Sequence, residues 1–81
     1  MTIRVRLFAS LREDVGQAEL ELELPEGACA EDAWQRLVAD HPALAPKRSH
    51  LAAAVNRRYA DFDTPLSSGD EVVFVPPVSG G

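Results

Sequence analysis

Two stretches near the start of the chain alternate strictly between apolar and polar residues. In "TIRVRLF" at 2–8, isoleucine, valine and leucine alternate with threonine and two arginines, and in "ELELEL" at 19–24 every second residue is leucine. Successive side chains of a β-strand point to opposite faces of a sheet, so this period of two predicts two strands, each with one buried and one solvated face. The outward arginines and glutamates are expected to be cross-strand neighbours on the solvated face.

One main helix is predicted after the second strand. Apolar residues between 30 and 38 recur with helical spacing, two acidic residues lie in the first turn, and Pro42 ends the helix. Between the two strands, Ser10 and Glu13 have the spacing of a capping box, which predicts a short helical turn that Gly16 closes.

The second half of the chain predicts three more strands. "LAAAV" at 51–55 and "RYADF" at 58–62 flank a polar turn, and the β-branched "EVVFV" at 71–75 ends before two prolines. The element order is ββαβββ, an α+β fold in which one main helix covers one face of a sheet. We expect residues 1–75 to form the domain and residues 76–81 to form an extended tail.

Charge and cysteine content argue against several classes of function. With Cys29 as its single cysteine, the 81-residue chain can form neither an internal disulfide nor a zinc knuckle. A net charge of −5 repels phosphate backbones and anionic lipids, so neither nucleic acid nor a membrane surface is expected as a partner. Because the chain shows no signal peptide and no apolar run of membrane-spanning length, we expect a cytoplasmic protein.

The face of the sheet away from the helix is expected to carry an apolar cluster. If Phe62 and Phe74 point at the helix, alternation places four other apolar residues on the open face: Phe8, Tyr59, Val73 and Val75. Such a cluster at the root of the tail predicts a protein-binding surface, and packing at the edge of the sheet is the alternative.

The tail "PPVSGG" at 76–81 combines stiff backbone with a tip that has no side chains. Pro76 and Pro77 favour extended backbone, so the tail can reach roughly 20 Å beyond the sheet. Because Gly80 and Gly81 lack Cβ atoms, the tip fits a slot too narrow for side chains and can present the carboxylate of Gly81 to catalytic groups of another protein. The alternative is a frayed terminus.

These features resemble a known family, the ubiquitin-like sulfur carriers, and in particular the small subunits of molybdopterin synthases. The resemblance runs the whole length and is densest in "RVRLFASLRE", "LAAAVN" and "DTPLSSGDEVVFVPPVSGG". It implies a β-grasp fold with a mixed sheet, which agrees with the order ββαβββ.

The resemblance also implies a chemistry for the tail. A separate ATP-dependent enzyme would adenylate Gly81, a sulfur donor would displace AMP to leave a thiocarboxylate, and the large synthase subunit would use that sulfur on a cyclic pyranopterin precursor. Gly80 would give access. The implied partner contacts are Phe8, Tyr59, Val75, Pro76, Pro77, Val78 and Ser79. The chain itself would bind no metal and no cofactor and would have no active site of its own.

Other functions remain open at this point. The chain could carry sulfur for thiamine synthesis or tRNA thiolation, could be a modifier joined to protein lysines through Gly81, or could be an interaction module with an inert tail. Side chains elsewhere suggest no competing catalysis: His41 and His50, in a helix end and a loop, lack evident co-ligands, and Ser67 lacks an adjacent base. Cys29 is expected to be buried at the start of the main helix.

Overall fold

The computed structural model describes residues 1–76. In chain order the elements are β1 (Thr2–Leu7), α1 (Ala9–Val15), β2 (Glu19–Glu23), α2 (Ala30–Asp40), a 3₁₀ segment (Pro42–His50), β3 (Ala52–Val55), β4 (Arg58–Ala60) and β5 (Glu71–Val75). Strands and main helix in this order confirm the predicted α+β class and the order ββαβββ.

The strands form one mixed sheet in the order β2-β1-β5-β3-β4. β1 and β5 are parallel, whereas the other neighbours are antiparallel. Arg4 and Arg6 of β1 lie opposite Glu21 and Glu19 of β2, so the predicted cross-strand pairs are present. Because β5 lies in the middle of the sheet, Pro76 leaves the domain from a central strand.

The core lies between the sheet and α2. Val5 of β1 and Phe74 of β5 are fully buried on the same face of the sheet. The α2 residues that pack against this face are also buried; they are Ala30, Ala33, Trp34 and Leu37. The Trp34 and Phe74 rings meet edge to face with centroids 5.2 Å apart, an arrangement that aromatic pairs favour. Leu11 of α1 and Leu44 of the 3₁₀ segment join the same core, so all the described helices cover one face of the sheet.

Two predictions about local structure are wrong. α1 begins one residue before Ser10, its N-cap is Phe8, and no side chain caps it. The reason is the backbone of Ala9, whose positive φ of 52° turns the chain at once from strand into helix. The strand predicted at 58–62 ends at Ala60, because the chain then turns inward and the Phe62 ring stacks against Phe74 at 6.0 Å.

The 3₁₀ segment, which has no clear sequence signal, fills the connection between α2 and β3. Pro42 ends α2 as predicted but also starts this segment, and His50 is its last residue rather than part of an irregular loop. Lys47 pairs with Asp14 of α1, which ties the segment to the first helix. No helix in the described part of the chain has the length and apolar character that crossing a bilayer requires.

Candidate functional site

The predicted reacting end of the chain lies beyond the described residues. Gly80 and Gly81, together with Pro77, Val78 and Ser79, fall outside residues 1–76. Pro76, the first residue of the predicted tail, is half-buried directly after β5. It borders a small, mainly apolar depression whose other lining residues are Ser10, Pro46, Lys47, His50 and Leu51.

The open face of the sheet can be followed in one row across all five strands. Glu19 pairs with Arg6, Arg6 with Val73, Val73 with Ala54, and Ala54 with Tyr59. Directly paired residues of neighbouring strands point to the same face. The row therefore changes from charged side chains on β2 and β1 to apolar ones on β5, β3 and β4.

The apolar half of this face forms a continuous surface, which we call the apolar patch; its residues are Phe8, Ala52, Ala54, Tyr59, Val73 and Val75. Its two large side chains are the exposed large hydrophobic residues in the described part of the chain, with Phe8 46% and Tyr59 79% exposed. Ala52 pairs with Val75, which extends the patch to the last residue of β5, immediately before Pro76. The structure thus places Phe8, Tyr59 and Val75 on the open face, where the sequence predicts a protein-binding surface. Pro76 follows Val75 but borders the depression formed with residues of α1 and the 3₁₀ segment.

The position of Phe8 depends on its own extended backbone and on Ala9. Phe8 has φ −129° and ψ 161°, so the alternation of β1 continues through it, and the Arg6 guanidinium lies 5.7 Å from its ring centroid on the same face. The carbonyl of Phe8 accepts hydrogen bonds from the backbone N–H groups of Leu11 and Arg12 at 3.1 and 3.4 Å. The left-handed turn at Ala9 then carries α1 to the other side, where Leu11 is fully buried. Phe8 and Leu11 are thereby fixed on opposite sides of the sheet.

The charged half of the open face is a solvated surface. Arg4 pairs with Glu19 at 3.1 Å and Arg6 with Glu71 at 3.9 Å, and all four side chains are partly exposed. Ion pairs of this kind contribute little to stability, because water screens them. Covering the charged half would remove water from these charges, whereas covering the apolar patch would remove apolar surface from water. The apolar patch is therefore the part of this face that favours binding to another protein.

Cys29 has a structural role, but the expectation that it is buried is wrong. It is only half-buried and is the N-cap of α2. Its backbone N–H and its thiol both donate to Oδ2 of Asp32, at 2.9 and 3.4 Å. These two hydrogen bonds hold the pKa of Asp32 below its usual value. The capping box predicted for α1 is therefore found at α2 instead.

One polar cluster was not predicted. The Arg48 guanidinium lies 3.4 Å from the Phe62 ring centroid and donates to Oε1 of Glu31 at 2.7 Å. Partial burial raises the pKa of Glu31, but hydrogen bonds from Arg48 and Gln35 outweigh that effect and hold the pKa below its usual value. Because every charge in the cluster has a partner, we assign it to stability. The cluster joins residues that are distant in sequence, and no sequence motif predicts it.

Metal chemistry has no candidate site within residues 1–76. No group of three or more histidine, cysteine or acidic side chains is placed to hold a metal ion there. His41 follows the last residue of α2 and His50 ends the 3₁₀ segment, so the two histidines are separated by that whole segment.

Comparison with known proteins adds independent information. Residues 5–81 match the ThiS family. The chain is 40% identical to the molybdopterin synthase sulfur carrier subunit of Chlamydomonas reinhardtii, with 100% of both chains covered. It is 43% identical to the protein of the same name from Escherichia coli strain K12, with 98% of this chain and 99% of that one covered.

Solved structures agree with the sequence relatives. SAMP1 of Haloferax volcanii, a small archaeal modifier protein, superposes with a TM-score of 0.87 at 31% identity, and 100% of each chain is covered. This likeness confirms the predicted β-grasp fold. With a family match over most of its length and full-length relatives at 40% identity and above, the chain belongs to the ThiS family of ubiquitin-like proteins.

Proposed function

We propose that the chain is the sulfur-carrier subunit of a molybdopterin synthase. The observation that carries this proposal is the end-to-end match to two curated proteins of that name. Gly81 is adenylated, converted into a thiocarboxylate, and donates its sulfur to a cyclic pyranopterin precursor during synthesis of the molybdenum cofactor.

The proposed chemistry needs only the C-terminal carboxylate of this chain, because the partner proteins supply the catalytic groups. A carboxylate is a poor acyl donor, because oxide would have to leave. An adenylating enzyme solves this by transferring AMP from ATP to the carboxylate of Gly81 and releasing pyrophosphate. A sulfur donor then displaces AMP, and the resulting thiocarboxylate is anionic and nucleophilic at neutral pH. The carrier supplies the reacting group, and its partners supply the catalysis.

The described part of the fold supports this division of labour. The apolar patch offers a protein-binding surface, and Pro76 continues directly from Val75 at its edge. The residues after Pro76 can therefore reach a partner that covers the patch, since each extended residue adds roughly 3.3 Å to the length of the tail. We propose that the large synthase subunit and the adenylating enzyme both bind this surface, and that Gly80 lets the tip enter their active sites.

The proposal is tested at the tip. Adding one residue after Gly81 moves the carboxylate onto a different residue while leaving the core unchanged, so ATP–pyrophosphate exchange with the cognate adenylating enzyme should be abolished. The control is the same measurement after Arg36→Gln, an exposed change on α2. Undiminished exchange by the extended protein would rule out a chemical role for the carboxylate of Gly81.

A second function is favoured by a specific observation. SAMP1, which covers the whole chain at a TM-score of 0.87, is named a modifier protein, and joining Gly81 to protein lysines would begin with the same adenylate. Intact mass spectrometry of the protein from its native cells separates the two functions. Sulfur in place of one oxygen of Gly81 supports the carrier, and conjugates of higher mass on lysines support the modifier.

A carrier for thiamine synthesis or tRNA thiolation would give the same thiocarboxylate. Synthesis of molybdopterin from the purified precursor, with the large subunit and the thiocarboxylated chain, distinguishes the pathway.

A further inference from the structure

The turn between β3 and β4 contains an arginine where its conformation favours glycine. Val55 pairs with Arg58, so the loop has two residues, Asn56 and Arg57, with positive φ angles of 51° and 71°. A two-residue hairpin loop of this kind prefers asparagine followed by glycine, because a Cβ atom at positive φ crowds the backbone. Asn56 fits this preference. Arg57 does not, and its side chain is held there at a cost in stability.

The tip of this hairpin is fixed to the neighbouring strand. The side-chain amide of Asn56 donates to Oδ1 of Asp70 at 2.9 Å, and its Oδ1 accepts from the N–H of Glu71 at 3.0 Å. The backbone N–H of Asn56 also donates to the carbonyl of Glu71 at 2.8 Å. Three hydrogen bonds therefore fix the position of the residue before Arg57, so the arginine projects from an ordered tip.

The charges at the tip have no partner in the described part of the chain. Arg57 and Arg58 are both exposed, and neither makes an ion pair or a side-chain hydrogen bond with residues 1–76. The basic residues that do pair with acidic ones are Arg4, Arg6, Arg36, Lys47 and Arg48. Of the eight basic residues, Arg12, Arg57 and Arg58 therefore make no ion pair within residues 1–76, and among these three only Arg57 lies at a position that favours glycine.

This basic tip adjoins the apolar patch. Arg57 precedes Tyr59, the most exposed large side chain of the patch, by two residues, and Tyr59 lies opposite Ala54 on the open face. Arg58, by contrast, pairs with Val55 on the face that α2 covers. A protein that covers Tyr59 must also approach the tip. Charged side chains at the rim of an interface act mainly on association rate and specificity.

We propose that Arg57 is an electrostatic docking determinant for an acidic surface on the protein that covers the apolar patch. The proposal rests on the proposed function, since it requires a protein partner at that patch. It accounts for an arginine at a position that favours glycine and for the absence of an ion pair to Arg57 within residues 1–76. Nucleic acid is disfavoured as the acidic partner because the net charge of the chain repels a phosphate backbone.

Substitutions at Arg57 separate its charge from its backbone strain. Arg57→Gly and Arg57→Asn both remove the charge and tolerate positive φ. The folded protein should therefore become more stable, and for Arg57→Gly the unfolding equilibrium constant should fall by about threefold. Their association rates with the partner should nevertheless fall by about threefold at low salt, and less at high salt, where rim charges are screened. Arg57→Lys keeps the charge and should retain most of the rate.

The experiment measures binding to the cognate large subunit and to the adenylating enzyme by stopped flow at several salt concentrations. Arg36→Gln is the matched control, because it removes one positive charge from α2, on the covered side of the sheet. A slower, less salt-dependent association with either protein after Arg57→Gly, with Arg36→Gln unchanged, supports the proposal.

The docking role is overturned if Arg57→Gly and the unaltered chain associate with both proteins at equal rates and with equal salt dependence. That result leaves the proposed function intact. If the unaltered chain binds neither protein, the docking role and the proposed function are both wrong. A fall in rate that Arg36→Gln reproduces would reflect net charge alone, and it also overturns the role of the tip.

Discussion

Truncating Phe8 gives the sharpest test of the apolar patch. With 46% of its surface exposed, Phe8 leaves about 90 Å² to be covered by a partner, taking about 200 Å² for a whole phenylalanine. At about 25 cal/mol per Å², covering that area contributes about 2 kcal/mol, the size of an interface hot spot. Phe8→Ala should therefore weaken binding to the large subunit by about 30-fold.

Phe62→Ala is the matched control for this change. It removes the same atoms, but from a ring that stacks on Phe74 in the core, at a centroid distance of 6.0 Å. We expect Phe62→Ala to lower stability more than Phe8→Ala does and to leave the affinity nearly unchanged. Calorimetric titration gives the affinities, and urea unfolding gives the stabilities. A change in affinity below about threefold for Phe8→Ala, with both variants folded, would refute the assignment of the patch to partner binding.

Three further predictions concern strain, access and pH. Ala9→Gly should raise the free energy of unfolding by about 0.5–1 kcal/mol in urea titrations, since glycine adopts positive φ without crowding; a loss of stability would contradict the strain assigned to Ala9. Gly80→Val should slow single-turnover sulfur transfer from pre-formed thiocarboxylate far more than it weakens binding, and an unchanged rate would make Gly80 a mere spacer. Because the pKa of Asp32 is lowered on folding, its stabilising effect is complete above the ordinary value of 3.8 and is lost as the pH falls through the lower folded value. Urea unfolding of Asp32→Asn should therefore depend less on pH than that of the unaltered chain below about pH 4, and equal slopes would count against the Cys29–Asp32 capping box.

The strands and the main helix could be predicted because their signals are local. The alternation in β1 and β2 sets which side chains face the core, and the same parity places Tyr59 and Val75 on the open face. Phe8 follows from the parity of β1 only because its backbone stays extended. The predictions that depend on the tip of the tail, at Gly80 and Gly81, lie outside the described residues and remain predictions.

The missed features depend on tertiary contacts or on unusual backbone. Ser10 has the spacing of a cap, but the left-handed turn at Ala9 starts the helix one residue earlier, and alanine gives no sign of such a turn. The 3₁₀ segment has no apolar periodicity, so its burial of Leu44 could not be foreseen. Arg48 stacks on Phe62 across a tertiary contact between the 3₁₀ segment and the residues after β4, which no local pattern indicates.

The parallel pairing of β1 with β5 also governs when the domain can fold during synthesis. Val5 lies opposite Val72, so the central pair of the sheet joins the two ends of the described chain. Contacts this distant in sequence form slowly, because a long loop must close before any of them is made. While β5 is still within the ribosome, β1 and β3 lack the strand that lies between them, and Phe74 is missing from the core. Under the proposed function, the residues after β5 therefore become available to partner enzymes only when the sheet can be completed, which couples maturation of the tail to completion of the fold.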